Sequence, residues 1–135
     1  MTNKALSLLG LMRKANAIAV GEDSSGDSAR KKSAKLIVVA SDASDNARSR
    51  AHGFAAMAHA PIVELPFTKD EISAAVGKRG CSMAAINDLG FAEALIKLLK
   101  ATEPEKYDGA AAYLAQKRQQ GIRHDNKTVK RRTNV

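Results

Sequence analysis

Histidine and cysteine are the side chains that most readily do chemistry near neutral pH, and the chain has three of the first and one of the second. His52 and His59 fall on one expected helix but lie seven positions apart, about two turns. A metal pair on a helix wants a spacing of about three or four, so the two read as ordinary side chains. His124 stands alone in a polar stretch. Cys81 opens an apolar run and reads as an inert core thiol; a lone cysteine makes neither an internal disulfide nor a multi-cysteine zinc site. Gly77-Lys78 is followed by Arg79, where a phosphate loop needs Ser or Thr. The stretch from Gly21 to Gly26 has no Gly-x-Gly and carries Glu22 and Asp23, where a dinucleotide needs an uncharged backbone approach. No nucleophile, base and acid can be grouped by spacing. The expectation is a protein that is not an enzyme, with no cofactor and no metal.

Two stretches remain whose chemistry is recognition. In the first, Gly21-Glu22-Asp23-Ser24-Ser25 reads as a helix start that follows a short strand. Acids and serines suit that end of a helix, and its free backbone N–H groups can meet a phosphate or a base edge. In the second, Gly77-Lys78-Arg79-Gly80 sets two cations between two flexible residues.

The elements that must position these stretches can be read from the apolar pattern. Ala5, Leu8, Leu9 and Met12 form one helical face, capped by Thr2 or Asn3. Ala17 to Val20 is long enough for an edge strand. A helix from Gly21 would close on Arg30, Lys31, Lys32 and Lys35, with Gly26 weakening its middle by about 1 kcal/mol relative to Ala. Leu36-Ile37-Val38-Val39-Ala40 is apolar without alternation, the pattern of a central, parallel strand covered on both faces. An Ala-rich helix over 45–59 stops at Pro61, and Ile62 to Leu65 forms a further strand. Thr68 and Glu71 make a capping box for a short helix through Val76. Cys81 to Ile86 is the third internal strand, Asn87 to Gly90 a turn, and 91–100 an amphipathic helix. Strands that alternate with helices predict an α/β chain, a three-layer α/β/α sandwich with one four-stranded sheet. Beyond Lys100, Thr102-Glu103-Pro104-Glu105 starts a helix that reaches about Gln120. The segment from Gly121 on is basic and poor in apolar residues, and is expected to be disordered alone. The predicted divisions are a domain over 1–100, an appended helix over 101–120 and a tail over 121–135.

Charge narrows the partner. The 22 Lys and Arg against 14 Asp and Glu give +8. The excess splits into +4 over residues 1–35, zero over 36–100 and +4 over 101–135. A basic excess argues for a polyanionic partner, usually nucleic acid. With no Trp, three Phe and two Tyr, a reader that stacks several bases on exposed rings is excluded. No run of about 18 apolar residues marks a membrane helix, and the amino end lacks a signal-peptide pattern. The expected setting is the cytoplasm and the expected state a monomer.

The order of short motifs then resembles a family. Leu8-Leu9-Gly10-Leu11-Met12-Arg13-Lys14-Ala15, Val20-Gly21-Glu22, Ala34 to Asn46, Ala60-Pro61-Ile62-Val63, Val76-Gly77-Lys78 and Asn87-Asp88-Leu89-Gly90-Phe91-Ala92 together resemble the bacterial YlxQ-type proteins. These belong to the kink-turn RNA-binding ribosomal proteins, the L-seven-Ae and L-thirty-e type. The resemblance covers about residues 3–100 and implies a four-stranded mixed sheet and RNA binding without catalysis. It also implies two gripping elements. One is the helix start after the first strand, here Gly21, Glu22, Asp23, Ser24 and Asp27. The other is the loop before the last strand, here Val76, Gly77, Lys78, Arg79 and Gly80. Lys31, Lys32 and Lys35 would widen the positive field. The chain departs from the family pattern in having Asp27 where the family has Lys, Ser24 where Glu is usual, and cations where the loop is mostly apolar. Asp27 sets an anion where the family's cation would lie near phosphate; the shorter Ser24 loses reach to a base edge, and the loop cations favour phosphate contacts over base reading. The partner implied is structured or ribosomal RNA, with a protein of the translation or transcription machinery as a second candidate. The alternative reading is a protein-interaction adaptor that kept the fold and lost specific RNA recognition.

Overall fold

The computed structural model describes residues 3–133, with side chains through Gln120. Helix α1 spans Lys4–Lys14, and the Asn3 side chain accepts hydrogen bonds from the Ala5 and Leu6 amides. It is followed by β1 (Ile18–Val20), α2 (Glu22–Arg30), β2 (Leu36–Val39), α3 (Asp45–Ala58) and β3 (Ile62–Glu64). Then come α4 (Lys69–Val76), β4 (Met83–Ile86), α5 (Leu89–Lys100) and α6 (Pro104–Thr133). The helix-strand alternation is the expected one.

The four strands form one mixed sheet in the order β1-β4-β2-β3. β2 pairs parallel with β3, while β4 runs antiparallel to both β1 and β2. The unalternated run in β2 is thus central, as expected, but only one of its two neighbours is parallel. All four residues of β2 and all four of β4 are buried. Helices α2 and α3 pack together on one face, and α1 packs with α4 and α5 on the other. This is the three-layer α/β/α sandwich. β1, β2 and β3 point the same way, so the loops leaving them gather at one end of the sheet, together with the loop entering β4.

Local chemistry sets the ends of the helices. The Thr68–Glu71 capping box forms in full. Helix α3 stops at His59, which sits in the left-handed region at φ 54°, two residues before Pro61. Helix α5 begins at Leu89, two residues earlier than the pattern suggested, because the Asp88 side chain caps the Phe91 amide at 2.8 Å. Gly26 does not merely loosen α2. A Cβ there would lie 3.0 Å from the Phe54 ring, so the glycine is where α2 and α3 come into close contact.

Helix α6 packs on α5 and reaches β3. It contributes Tyr107, Ala110 and Leu114 to the same buried cluster as the sheet. The Tyr107 hydroxyl donates to the Glu64 carbonyl at 2.7 Å. The helix continues to Thr133, past the expected end near Gln120; the segment has no Pro after 104 and is rich in the helix formers Lys, Arg and Gln. The basic side chains of the tail over 121–135 lie outside the described residues.

Candidate nucleic-acid interface

Val20 ends β1 at the sheet end where the loops gather, and Gly21 turns the chain into α2. The turn requires φ 91° and ψ 170°, a conformation essentially confined to glycine. Its amide is anchored on the Met83 carbonyl at 3.0 Å. No side chain caps α2, so the first N–H groups of the helix stay open. With the helix dipole they form a point of partial positive charge.

The loop between α4 and β4 comes to the same place. Gly77 and Gly80 both take positive φ, 72° and 67°, which bends the chain tightly on either side of the two cations. The Lys78 ammonium donates to the Val20 carbonyl at 2.9 Å. It lies where a Cβ on Gly21 would sit 3.0 Å from it. One lysine therefore bridges the two stretches that the sequence singled out, and Arg79 stands exposed beside it. Val76 is buried in the core; it positions the loop and presents no surface.

Below the loop lies Cys81, wholly buried, with its thiol on the Met83 carbonyl at 3.3 Å. Burial pushes the thiol's pKa up, opposed by the Gly21 backbone and by the charges of Lys78 and Arg13. This is the environment of a protonated, unreactive thiol. No group of three or more His, Cys, Asp or Glu among the described residues could hold a metal ion.

The acids of α2 are partly compensated. Arg50, on α3, brings a guanidinium nitrogen to 2.7 Å from a Glu22 carboxylate oxygen. Asp27 pairs with Arg30 of its own helix at 2.6 Å, with both side chains more than half exposed. Asp23 is exposed and Ser24 half-buried. The structure thus brings Gly21, Glu22, Asp23 and Ser24 together with Gly77, Lys78, Arg79 and Gly80, and sets Asp27 one turn further along α2. Lys31 and Lys35 are not part of this cluster. They sit at the far end of α2, about 13 Å away for a helix of this length, and Lys35 enters β2 at the opposite end of the sheet. Arg50 joins the neighbourhood without a signal in the spacing, because it arrives through α2–α3 packing.

Comparison with known proteins gives the lineage. The family model of the ribosomal protein L7Ae/L30e/S12e/Gadd45 family matches residues 3–96. The chain belongs to this family. Within it, the chain is similar to the RNA-binding protein YlxQ of Enterococcus faecium, 32% identical over 97 residues, covering 72% of this chain and 92% of that protein. It is thus a YlxQ-like member. A solved structure of a protein of unknown function from Bacillus halodurans shares the fold, with a TM-score of 0.66 at 23% identity over 73% of this chain and 99% of that one. The matched family region includes both stretches of the site and stops before α6.

Proposed function

We propose that the chain is a non-catalytic, monomeric, cytoplasmic RNA-binding protein. Its interface is the edge formed by the start of α2 and the α4–β4 loop. The observation that carries this reading is Lys78, whose ammonium is held at 2.9 Å on the Val20 carbonyl and so joins both stretches into one edge, with two cations beside an uncapped helix start. The open amides of Glu22, Asp23 and Ser24 would receive phosphate or base-edge oxygens, Gly21, itself buried, would hold the turn that presents them, and Lys78 and Arg79 would hold phosphates. Arg50 offsets the charge of Glu22. Family membership and the name of the Enterococcus relative support RNA as the partner. The RNA expected is a kinked internal loop or another structured, ribosomal element, gripped through its backbone more than through its bases.

Electrophoretic shifts with kink-turn, hairpin and single-stranded RNAs at two salt concentrations test this. The expected result is binding to structured RNA that weakens with salt, with a log–log slope of about 0.7–0.9 per phosphate neutralised. Lys78→Ala and Arg79→Ala should each reduce that slope by about one such step. An absence of binding at low salt would overturn the proposal.

A second reading rests on Asp23 and Asp27, exposed acids on the outer face of α2. They suit a basic protein partner, and a pulldown that keeps a protein after nuclease treatment would favour that adaptor role.

A further inference from the structure

A second concave, cationic feature lies at the other end of the sheet. It is a cleft of about 280 Å³ between the α2–β2 turn, the end of α3, the start of α5 and the face of α6. Lys32, Lys35 and Lys117 line it, and no carboxylate does among the described residues. None of the three lysines has an ion-pair partner among the described residues. Several other cations of the fold are matched: Arg48 and Lys106 meet Glu64, Lys100 meets Asp108, and Arg118 meets Glu93. Three like charges around one cleft repel each other, so an anion placed among them would relieve that repulsion.

The rest of the cleft is not built for a bare anion. Its floor is apolar, from Ala34, Leu89 and Leu114. One wall is the Tyr113 ring, fixed because its hydroxyl donates to the His59 carbonyl. The Lys117 ammonium stands 5.6 Å from the centre of that ring, inside the range of a cation–π contact. Lys32 is held in the left-handed region at φ 56°, a costly conformation for a residue other than Gly, Asn or Asp. The turn it makes sets Lys32 and Lys35 on the same rim. An apolar floor, a flat aromatic wall and converging ammoniums suit a ligand with a planar ring and an attached phosphate. The volume is at the lower limit of small-ligand sites, about 300 Å³.

We infer that this cleft is a nucleotide site, taking the base against Tyr113 and the phosphate among Lys32, Lys35 and Lys117. The nucleotide is either free or one unit of a bound RNA. The site lies at the opposite end of the sheet from the interface proposed above, so either can fail alone.

The test is backbone amide chemical-shift titration of the full chain with three probes: the four nucleoside 5′-monophosphates, inorganic phosphate and a short single-stranded oligouridylate. Saturable shifts at Lys35, His59, Leu89, Tyr113 and Lys117 with a monophosphate, weakened at least tenfold in K35A/K117A, would support a free nucleotide. The same amides moving with the oligonucleotide alone would support an RNA unit. Inorganic phosphate is expected to need at least tenfold higher concentration; equal potency would overturn a nucleotide site. Shifts confined to Gly21–Ser24 and Lys78–Gly80 would overturn this inference and leave the proposed interface standing. Shifts confined to the cleft would support this inference and leave the interface to its own test with structured RNA.

Discussion

At the scale of single residues, the proposed interface depends on Gly21 and Lys78. The backbone of Gly21 sits at φ 91°, ψ 170°, where any side chain is strained by about 1–3 kcal/mol. The near contact a Cβ would make is with the tip of Lys78, which can swing away, so backbone strain dominates the cost. Gly21→Ala is therefore expected to lower stability by about 2 kcal/mol in a urea titration and to displace Lys78 from the Val20 carbonyl. RNA affinity should fall even where the variant remains fully folded. Gly53 is the control, because a Cβ there meets nothing within 4 Å. Gly53→Ala should leave RNA binding unchanged.

Glu64 is the residue whose charge the fold uses most. The Arg48 guanidinium, hydrogen-bonded to it, holds its carboxyl below the ordinary carboxylate range; burial opposes this, and Lys106 adds to the lowering. A depressed folded-state pKa gives stability that is present above the unfolded value, about 4.3. That stability is lost as pH falls through the folded value. Unfolding free energy measured by urea titration from pH 6 downward should decline in the wild type. Glu64→Gln should be less stable at neutral pH and show a shallower acid decline.

At the scale of elements, Glu64 and Tyr107 show how α6 is fastened. The side chain of Glu64 meets Lys106, its carbonyl meets the Tyr107 hydroxyl, and the Tyr107 ring is fully buried. Tyr107→Phe should cost about 1 kcal/mol, since the Glu64 carbonyl loses its donor. Tyr107→Ala should cost about 3–5 kcal/mol, as a large core truncation does. Thermal denaturation of both variants checks the ratio.

The elements themselves were largely legible in the sequence. β2 announced itself by an unbroken apolar run and α4 by its capping box, because these signals are local. The order of motifs also led to the right family. Features that depend on packing were harder to see. By propensity Gly26 is a weak point in a helix; its place against the Phe54 ring follows only from the packing of α2 on α3. Tyr107 gave no sign of being core, since its periodic partners Ala110 and Leu114 lie in a polar stretch. Of the candidate site, the two stretches could be read as separate loops. That a lysine side chain joins them, and that Lys31 and Lys35 lie at the other end of the sheet, depended on strand order and direction. The pairing of Arg50 with Glu22 came from α2–α3 packing and left no trace in the spacing.

At the scale of the whole molecule, the net charge of +8 is distributed around the sandwich and not gathered on one face. One group stands at the loop end of the sheet with Lys78 and Arg79. A second stands at the opposite end with Lys32, Lys35 and Lys117. The third is carried by the segment after Gln120. We propose that this last group adds a non-specific contact to bound RNA through counterion release. Among the described residues no helix is long and apolar enough to cross a membrane, and the long-range attraction of the molecule is for polyanions.

The central claim is that RNA is gripped where α2 starts and the α4–β4 loop ends. Photo-crosslinking of the full chain to RNA in cells, with mapping of the crosslinked peptides, tests this most directly. Crosslinks at Gly21 to Ser24 and at Lys78 to Gly80 are the predicted result. Crosslinks confined to residues 121–135 would contradict it and move the function to the end of the chain.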